Sequence, residues 1–189
     1  MEDQYIKEIV ARVVENIQKG PETAGMNTAG DSAGRTLRAN NINKEEAPAA
    51  DVTLRMAVRL IQRIEAEASR MGVNAVIAVV NKGGRPVAVH CMDEAYIASY
   101  DIALNKAYTC AALKMPTTQL KSLSQPGGEL YGIQHTNGGK IVVFGGGVPI
   151  RCGGKVIGGL GVSGGSESQD TALAEYGERL LKEALDIWQ

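Results

Sequence analysis

Aromatic residues are scarce in this chain of 189 residues, which has one phenylalanine, one tryptophan and six tyrosines. A folded domain built from this sequence must therefore form its core mainly from Val, Ile, Leu and Ala. Cysteine is also rare, and an odd number without metal-ligand spacing excludes a disulfide framework and a cysteine zinc site. We therefore expect a reducing compartment. The three cysteines are Cys91, Cys110 and Cys152.

The chain has no excess of charge of either sign, since it has 20 basic and 21 acidic residues and a net charge of -1. It lacks a basic stripe and any interleaving of basic with aromatic residues, which argues against nucleic-acid binding. Its apolar runs are too short to span a bilayer, so no membrane interaction is expected. The N-terminus also lacks the basic, apolar and small-residue regions of a secretion signal. These absences together predict a cytoplasmic protein.

The first 20 residues are predicted to form a unit of their own. Between residues 3 and 19 the apolar side chains fall on one stripe of a helix, and charged side chains occupy the other face. Gly20 and Pro21 end this helix. Residues 21–50 are polar and small without periodicity, which predicts a flexible linker. The helix would dock to a partner or fold back onto the domain, and docking is favoured because a long tether serves no intramolecular contact.

Residues 51–189 are predicted to form the folded domain, with Asp51 as the N-cap of its first helix. Helices are predicted over residues 54–71, 95–113 and 168–188, and a further helical turn over residues 117–123. Five short strands are predicted at residues 75–80, 86–91, 141–144, 148–150 and 156–162. Strands joined by tight turns are antiparallel, so the fold class is α+β with helices packed on a sheet.

Glycine is concentrated in one part of the chain, since fifteen of the 23 glycines lie between Gly127 and Gly165. Such a stretch either forms tight turns or exposes backbone amides at a ligand site, and both interpretations remain open. Residues 159–164 match G-x-G-x-x-G without a βαβ unit, and neither a nucleophile elbow nor a Walker A sequence is present. Ser163 is expected to hydrogen-bond within a turn. The rim of a ligand site would consist of Gly145, Gly146, Gly147, Arg151, Ser163, Gly164 and Gly165.

Two histidines are the candidate metal ligands, because neutral imidazole can bind heme iron or corrinoid cobalt. His90 lies at the end of the second predicted strand, and His135 lies in a loop before the glycine-rich strands. Lys106 stands among alanines on the second helix, where it would pair with Asp101 or contact an anionic group such as a propionate. Arg151, at a strand end, would bind a carboxylate bidentately.

Seven segments can be compared together: residues 81–84 (NKGG), 92–95 (MDEA), 105–109 (NKAYT), 125–127 (QPG), 130–134 (LYGIQ), 145–150 (GGGVPI) and 158–165 (GGLGVSGG) with Asp170. In this order they resemble the heme-binding or heme-degrading domain family, over about residues 51–187. The family includes GlcG-like proteins and the C-terminal domain of the propanediol-utilisation protein PduO, and the PduO branch looks most similar. The chain departs from the family at residues 91–95, CMDEA, where the usual sequence is Arg-Met-Asp-Gly-Ala.

This resemblance implies a profilin-like fold, a five-stranded antiparallel sheet flanked by helices. It also implies a homo-oligomer, from dimer to octamer. The implied cofactor is heme, and a corrinoid such as cobalamin is the less favoured alternative. Adenosyl transfer to cobalamin, an activity of full-length PduO, is not expected, because residues 1–50 are too few to contain that domain.

Residues 3–19 resemble the encapsulation peptides that direct enzymes into bacterial microcompartments by docking on shell or cargo proteins. The leading hypothesis is therefore a tetrapyrrole-binding protein in the microcompartment lumen, with weak catalysis or none, that holds the cofactor or senses redox state. One alternative is an enzyme of oxidative heme breakdown or small-metabolite turnover. Another is an oligomeric cargo scaffold that binds no ligand.

Overall fold

The computed structural model describes residues 51–183, which contain four α-helices and four β-strands. The predicted helix at residues 3–19, the linker at residues 21–50 and the end of the last predicted helix lie outside the described residues. The helices are α1 (Leu54–Arg70), α2 (Ile97–Leu113), α3 (Thr117–Leu123) and α4 (Glu167–Glu183). The strands are β1 (Val76–Asn81), β2 (Pro86–Cys91), β3 (Gly147–Cys152) and β4 (Lys155–Ser163). Two 3-10 turns, Ile133–His135 and Asn137–Gly139, precede β3.

The four strands form one antiparallel sheet in the order β2-β1-β4-β3. β1 and β2 are joined by the predicted turn, in which the amide of Gly84 donates to the carbonyl of Asn81. β3 and β4 are joined by Gly153 and Gly154, whose positive φ angles of 54° and 77° suit a two-residue hairpin turn. The prediction of an α+β fold with an antiparallel sheet is confirmed.

The prediction of a fifth strand at residues 141–144 is wrong, because this segment is irregular and pairs with none of the four strands within residues 51–183. Ile141 is buried, and the amide of Val142 donates to the hydroxyl of Thr109 on α2 at 3.0 Å. The segment therefore packs against a helix and does not extend the sheet. Apolar and β-branched residues favour an extended backbone, but they do not determine its hydrogen-bond partner.

The first helix begins later than its predicted cap. Thr53 is the N-cap of α1, and its hydroxyl accepts a hydrogen bond from the Met56 amide at 3.2 Å. Asp51 instead accepts from the amides of Val52 and Lys82, so its carboxylate connects the start of the domain to the β1–β2 turn. The prediction of Asp51 as the N-cap is therefore wrong by two positions.

Helices cover both faces of the sheet. α1 and α4 share one face, where Leu60, Ile64 and Leu173 pack with Ile77 and Leu160 in the larger cluster of buried side chains. α2 covers the opposite face with a row of alanines. Within residues 51–183, no helix combines the length and the apolar sequence that a membrane crossing requires.

The α2 face is packed with very small residues. Ala103, Ala107 and Ala111 contact the side chains of β1 that point to this face. A Cβ added at Gly161 would overlap the carbonyl oxygen of Ala103, and one added at Gly159 would overlap that of Ala107. These two glycines of the formal dinucleotide motif therefore let helix and strand backbones touch.

Candidate functional site

A buried ion pair joins the two helix layers near the end of β4. Lys106 of α2 is 0% exposed and Asp170 of α4 is 4% exposed. Lys106 Nζ donates to Asp170 Oδ2 at 2.7 Å and to the carbonyl of Val162 at 2.8 Å. The predicted pair between Lys106 and Asp101 is therefore wrong, because the lysine points into the protein and not along its helix surface. Its predicted contact with a propionate stays untested, although the ammonium group already has two partners.

The absence of a side chain at Gly146 makes room for this pair. A Cβ there would lie 2.6 Å from Lys106 Nζ and 2.8 Å from the Cβ of Asp170. The φ angle of Gly146 is 107°, which glycine adopts without strain. Phe144 covers the ammonium group, with Nζ 4.9 Å from the centroid of its ring. The local sequence Phe-Gly-Gly-Gly thus leaves the space that the ammonium group of Lys106 occupies.

The two flanking glycines have amides that are hydrogen-bonded within the chain. The amide of Gly145 donates to the carboxylate of Glu167 at 2.8 Å, and the amide of Gly147 donates to the hydroxyl of Thr117 at 3.0 Å. Glu167 also pairs with Lys121 at 2.7 Å. These glycines were predicted to present exposed amides at a rim, but their amides bind α4 and α3 instead.

The ionisable groups around the pair are shifted by burial and by their neighbours. Burial lowers the pKa of the Lys106 amine below its usual 10.5, and Asp170 opposes that shift. Burial also raises the pKa of the Cys110 thiol to about 12, which keeps it protonated and unreactive. The hydrogen bond from Lys121 lowers the pKa of the Glu167 carboxyl. In the buried pair of Lys106 and Asp170, the attraction between the charges offsets part of the free energy lost when both are removed from water.

Two adjoining hollows open beside the ion pair, and we call them together the Gly164 cleft. The smaller, of about 290 Å³, is lined by the start of α2, Phe144, the end of β4 and Asp170. The larger, of about 470 Å³, extends to the loop before β1 and the first turn of α4. Tyr96, Gly164 and Gly165 line both hollows. Part of the predicted rim thus borders a real cleft.

Ser163 contributes a buried hydroxyl to this cleft. Its Oγ donates to Ser99 Oγ at 3.2 Å, and both serines line the smaller hollow. The predicted hydrogen bond of Ser163 exists, but its partner lies on α2 and not within a turn.

His90 contacts a carboxylate from the neighbouring helix. Its Nδ1 lies 2.8 Å from Oε1 of Glu65 on α1, and its side chain is 35% exposed. In the sheet it lies opposite Ile77, which belongs to the α1 and α4 face. A carboxylate at one ring nitrogen orients an imidazole and leaves the other nitrogen for a metal, as is usual for metal-binding histidines.

His135 lies elsewhere, in an exposed 3-10 turn. In the next turn of the chain, Asn137 donates to the hydroxyl of Tyr108 on α2, which places this segment on the α2 side of the sheet. The two predicted metal ligands are therefore not brought together within one chain. In the described part of the chain, no group of three or more His, Cys, Asp or Glu residues could hold a metal ion.

Arg151 stabilises the end of a helix. Its Nη2 donates at 2.7 Å to the carbonyl of Lys114, the C-cap of α2, which lacks a partner within the helix. Arg151 lies on β3 and His90 on β2, the two opposite edges of the sheet. Arg151 therefore does not complete a common site with His90, and its predicted carboxylate ligand stays a prediction.

Asp170 and Glu65, the acidic partners of Lys106 and His90, were not predicted from the sequence. One signal for Asp170 was present, because a lone lysine on an alanine-rich helix face must be buried and then needs an acid. Asp170 follows the glycine-rich strands in the first turn of α4, where it is an available acid. We find no comparable signal for Glu65, which is one of two half-buried acids on α1.

The fold and the site define a small α+β domain, with an antiparallel sheet between helix layers and an open cleft beside a buried ion pair. The chain belongs to the family of HbpS-like haem degrading proteins, whose family model matches residues 52–178.

Relatives of this chain place it near PduO. An uncharacterized 15.0 kDa protein from the dhaT-dhaS intergenic region of Citrobacter freundii is 47% identical over 126 residues, 67% of this chain and 89% of that protein. The corrinoid adenosyltransferase PduO of Citrobacter freundii is 36% identical over 143 residues, 76% of this chain and 43% of PduO. The solved PduOC–heme complex is 33% identical with a TM-score of 0.66, covering 68% of this chain and 94% of PduOC. The predicted family is confirmed, although the chain spans less than half of PduO.

Proposed function

We propose that this chain is a heme-binding protein with His90 as the iron ligand. Membership of the HbpS-like family and similarity to a PduO domain solved with heme support a tetrapyrrole ligand. The observation that carries the assignment to His90 is its contact with Glu65. Bound heme would supply an iron atom whose redox state can change.

His90 fits an axial ligand better than His135 does. Its Nδ1, beside the Glu65 carboxylate, would carry the ring proton, so that Nε2 keeps a lone pair for the iron. The carboxylate also holds the orientation of the ring, which favours a bond to a metal. The nearest side-chain partner of His135 is the Gln134 amide at 3.5 Å, which is neutral and gives no such support.

Hemin titration followed by visible absorption tests the assignment. We expect a saturable Soret band in the wild type and in His135→Ala, and a lost or strongly shifted band in His90→Ala. Glu65→Gln keeps the shape of the partner and removes its charge, so hemin should bind about 10–100-fold more weakly. Circular dichroism would show that each variant is folded. An unchanged band in His90→Ala would contradict the iron ligand, and no band in the wild type would contradict heme binding altogether.

Cobalamin is the second candidate cofactor, since the chain is 36% identical to a corrinoid adenosyltransferase over 143 residues. The same titration with cob(II)alamin distinguishes the two cofactors. Saturation by cobalamin without a response to hemin would replace heme in this proposal.

The proposed location is the lumen of a bacterial microcompartment, reached when residues 3–19 bind a shell or cargo protein. The amphipathic pattern of that segment and the similarity to PduO support this location. Deleting residues 1–20 should abolish copurification with compartments and leave hemin binding intact. Continued entry of the truncated chain would contradict a targeting role.

Oxidative heme breakdown is an alternative that the family description favours. Incubation of the hemin complex with ascorbate or peroxide, followed by product analysis, separates the two functions. Release of iron together with a linear tetrapyrrole would establish breakdown. Intact heme after many hours would support heme binding without breakdown.

We also propose that the chain forms a homo-oligomer. Ile97 is 97% exposed and Tyr100 is 45% exposed at the start of α2, and exposed apolar residues of this kind suit contact with a second copy. Light scattering should give a mass above that of one chain, and Ile97→Lys should lower it. The ligand-free cargo scaffold would keep this assembly and respond to neither hemin nor cobalamin.

A further inference from the structure

The Gly164 cleft has hydrogen-bond acceptors on its wall. Asp170, which is only 4% exposed, lines the smaller hollow. One of its oxygens accepts from the Gly165 amide at 2.9 Å and the other from Lys106 at 2.7 Å. A carboxylate oxygen has two lone pairs, so each can accept one more hydrogen bond. Ser163 donates its proton to Ser99, which leaves its own lone pairs available.

The charged side chains that line the cleft are all acidic. Asp170 and Glu167 border the smaller hollow, and Glu94 borders the larger. The lining, which lies within residues 51–183, includes no lysine, arginine or histidine. Lys106 and Lys121 pair with two of these acids but do not line the cleft. Since these lysines offset the charges of Asp170 and Glu167, Glu94 contributes the remaining negative charge of the lining, which opposes an anionic ligand.

The smaller hollow of the cleft has an apolar border. Tyr96 is 73% exposed and Phe144 is 39% exposed, so both rings are available to contact a carbon skeleton. The smaller hollow measures about 290 Å³, at the lower end of the range of about 300–1,000 Å³ for small-molecule sites. The volume of the smaller hollow alone suits a compact metabolite, and the larger hollow of about 470 Å³ adjoins it.

Glu94, an exposed residue before α2, borders the larger hollow and has an uncommon backbone conformation. Its φ angle is 62°, in the left-handed region that disfavours a residue with a Cβ. The conformation belongs to the turn of residues 92–95, which is closed by a hydrogen bond from the Ala95 amide to the Met92 carbonyl at 3.1 Å. Glu94 adds a further acceptor to a cleft that already has several.

We propose that the Gly164 cleft binds a small, uncharged, hydroxyl-rich molecule of the polyol class. Its hydroxyl groups would donate to Asp170 and Ser163, and its carbon skeleton would lie against Tyr96 and Phe144. Neither His90 nor Glu65 lines the cleft, so this site is separate from the proposed heme ligand. The inference does not depend on heme binding.

Titration of the ¹⁵N-labelled full chain, followed by amide chemical shifts, tests the proposal. Glycerol and erythritol are the probes, glycerate is the matched anion and ethanolamine is the matched cation. We expect saturable shifts at Tyr96, Ser163, Gly164 and Gly165 with at least one polyol. Glycerate should bind at least about tenfold more weakly, because its charge opposes those of the cleft. The shifts should persist in His90→Ala.

Two variants test whether the polyol binds in the cleft. Tyr96→Ala removes an exposed wall, and Ser163→Ala removes one hydroxyl; each should weaken polyol binding severalfold. Tyr131→Ala, at a tyrosine that is 65% exposed and outside the lining, is the matched control and should bind as the wild type does. Linear shifts without saturation for both polyols would overturn the proposal. Equal or tighter binding of glycerate or ethanolamine would overturn the polyol class, and an unaffected Tyr96→Ala would overturn the site.

Discussion

The two faces of the sheet are packed in opposite ways. On the face of α1 and α4, long apolar side chains fill the space, and Leu60, Leu160 and Leu173 are completely buried. On the α2 face, alanine and glycine dominate, and Gly161 lets the backbone of β4 touch that of α2 at Ala103. A sequence with few aromatic residues thus fills one core with large aliphatic side chains and forms the other by close approach of helix and strand backbones.

The difference explains how a charged pair can be buried in such a small domain. Small residues bring α2 close to the sheet, so that the side chain of Lys106 can pass Gly146 and reach α4, which belongs to the other face. Hydrophobic burial stabilises the first face in proportion to apolar area, whereas dispersion at short distance stabilises the second. The two faces should therefore respond differently to the gain and loss of single methyl groups.

The largest effect is expected from Lys106→Met. This change keeps the length of the side chain but leaves the Asp170 carboxylate buried without its counter-ion, which should cost about 3–5 kcal/mol of unfolding free energy in urea. The double variant Lys106→Met/Asp170→Asn removes both charges and retains an acceptor for the Gly165 amide. It should recover most of the loss. If the double variant is as unstable as the single one, the loss comes from packing and not from an unpaired charge.

Leu160→Ala should have the next largest effect, on the face of α1 and α4. Leu160 is completely buried there, and its truncation leaves a cavity between α1, α4 and the sheet. Such truncations cost about 2–5 kcal/mol. The midpoint of urea unfolding measures the loss, and a change below about 1 kcal/mol would show that this face can collapse around a smaller residue.

Gly161→Ala tests the opposite face by adding a methyl group. The new Cβ would overlap the Ala103 carbonyl and lie 2.6 Å from the Ala107 amide nitrogen, so α2 must move. Overpacking of this kind costs about 1–3 kcal/mol. Gly83→Ala is the control, because its Cβ would only meet Asn81 Oδ1 at 3.4 Å, an ordinary contact. Equal stability of the two variants would refute the close contact of helix and strand.

Most of the fold could be predicted from local pattern. The periodicity of α1 and α2 and the turn between β1 and β2 are local signals, and the structure has these elements where the sequence predicts them. The fifth strand could not be excluded in the same way, because the amide of Val142 bonds to Thr109, a residue 33 positions away. Only the tertiary position of α2 determines that contact.

The candidate site was less predictable, for the same physical reason. Lys106 pairs with a residue 64 positions away, and His90 pairs with one 25 positions away. No local spacing encodes such pairs. The glycine content of the sequence also did not show which glycines pack against the chain itself and which border a cleft. Gly146 accommodates a lysine of the chain, whereas Gly164 borders an open hollow.

The smallest effect is expected at the exposed pair between Glu167 and Lys121, which lies outside both cores. The side chains are 39% and 47% exposed, so the pair should contribute at most about 1 kcal/mol. Glu167→Gln removes the charge and keeps an acceptor for the Gly145 amide. At neutral pH and low salt the variant should therefore unfold slightly earlier in urea than the wild type.

The pH dependence of this small difference identifies its origin. Lys121 lowers the pKa of Glu167 in the folded state below its usual 4.5, so the unfolded chain takes up the proton first as the pH falls. The stability from the pair is therefore fully present above that value and is lost as the pH falls through the lowered pKa. The difference between wild type and Glu167→Gln should shrink toward zero in acid, and also in high salt. A difference that persists in acid would contradict this origin, because the side chain at position 167 is then uncharged in both proteins.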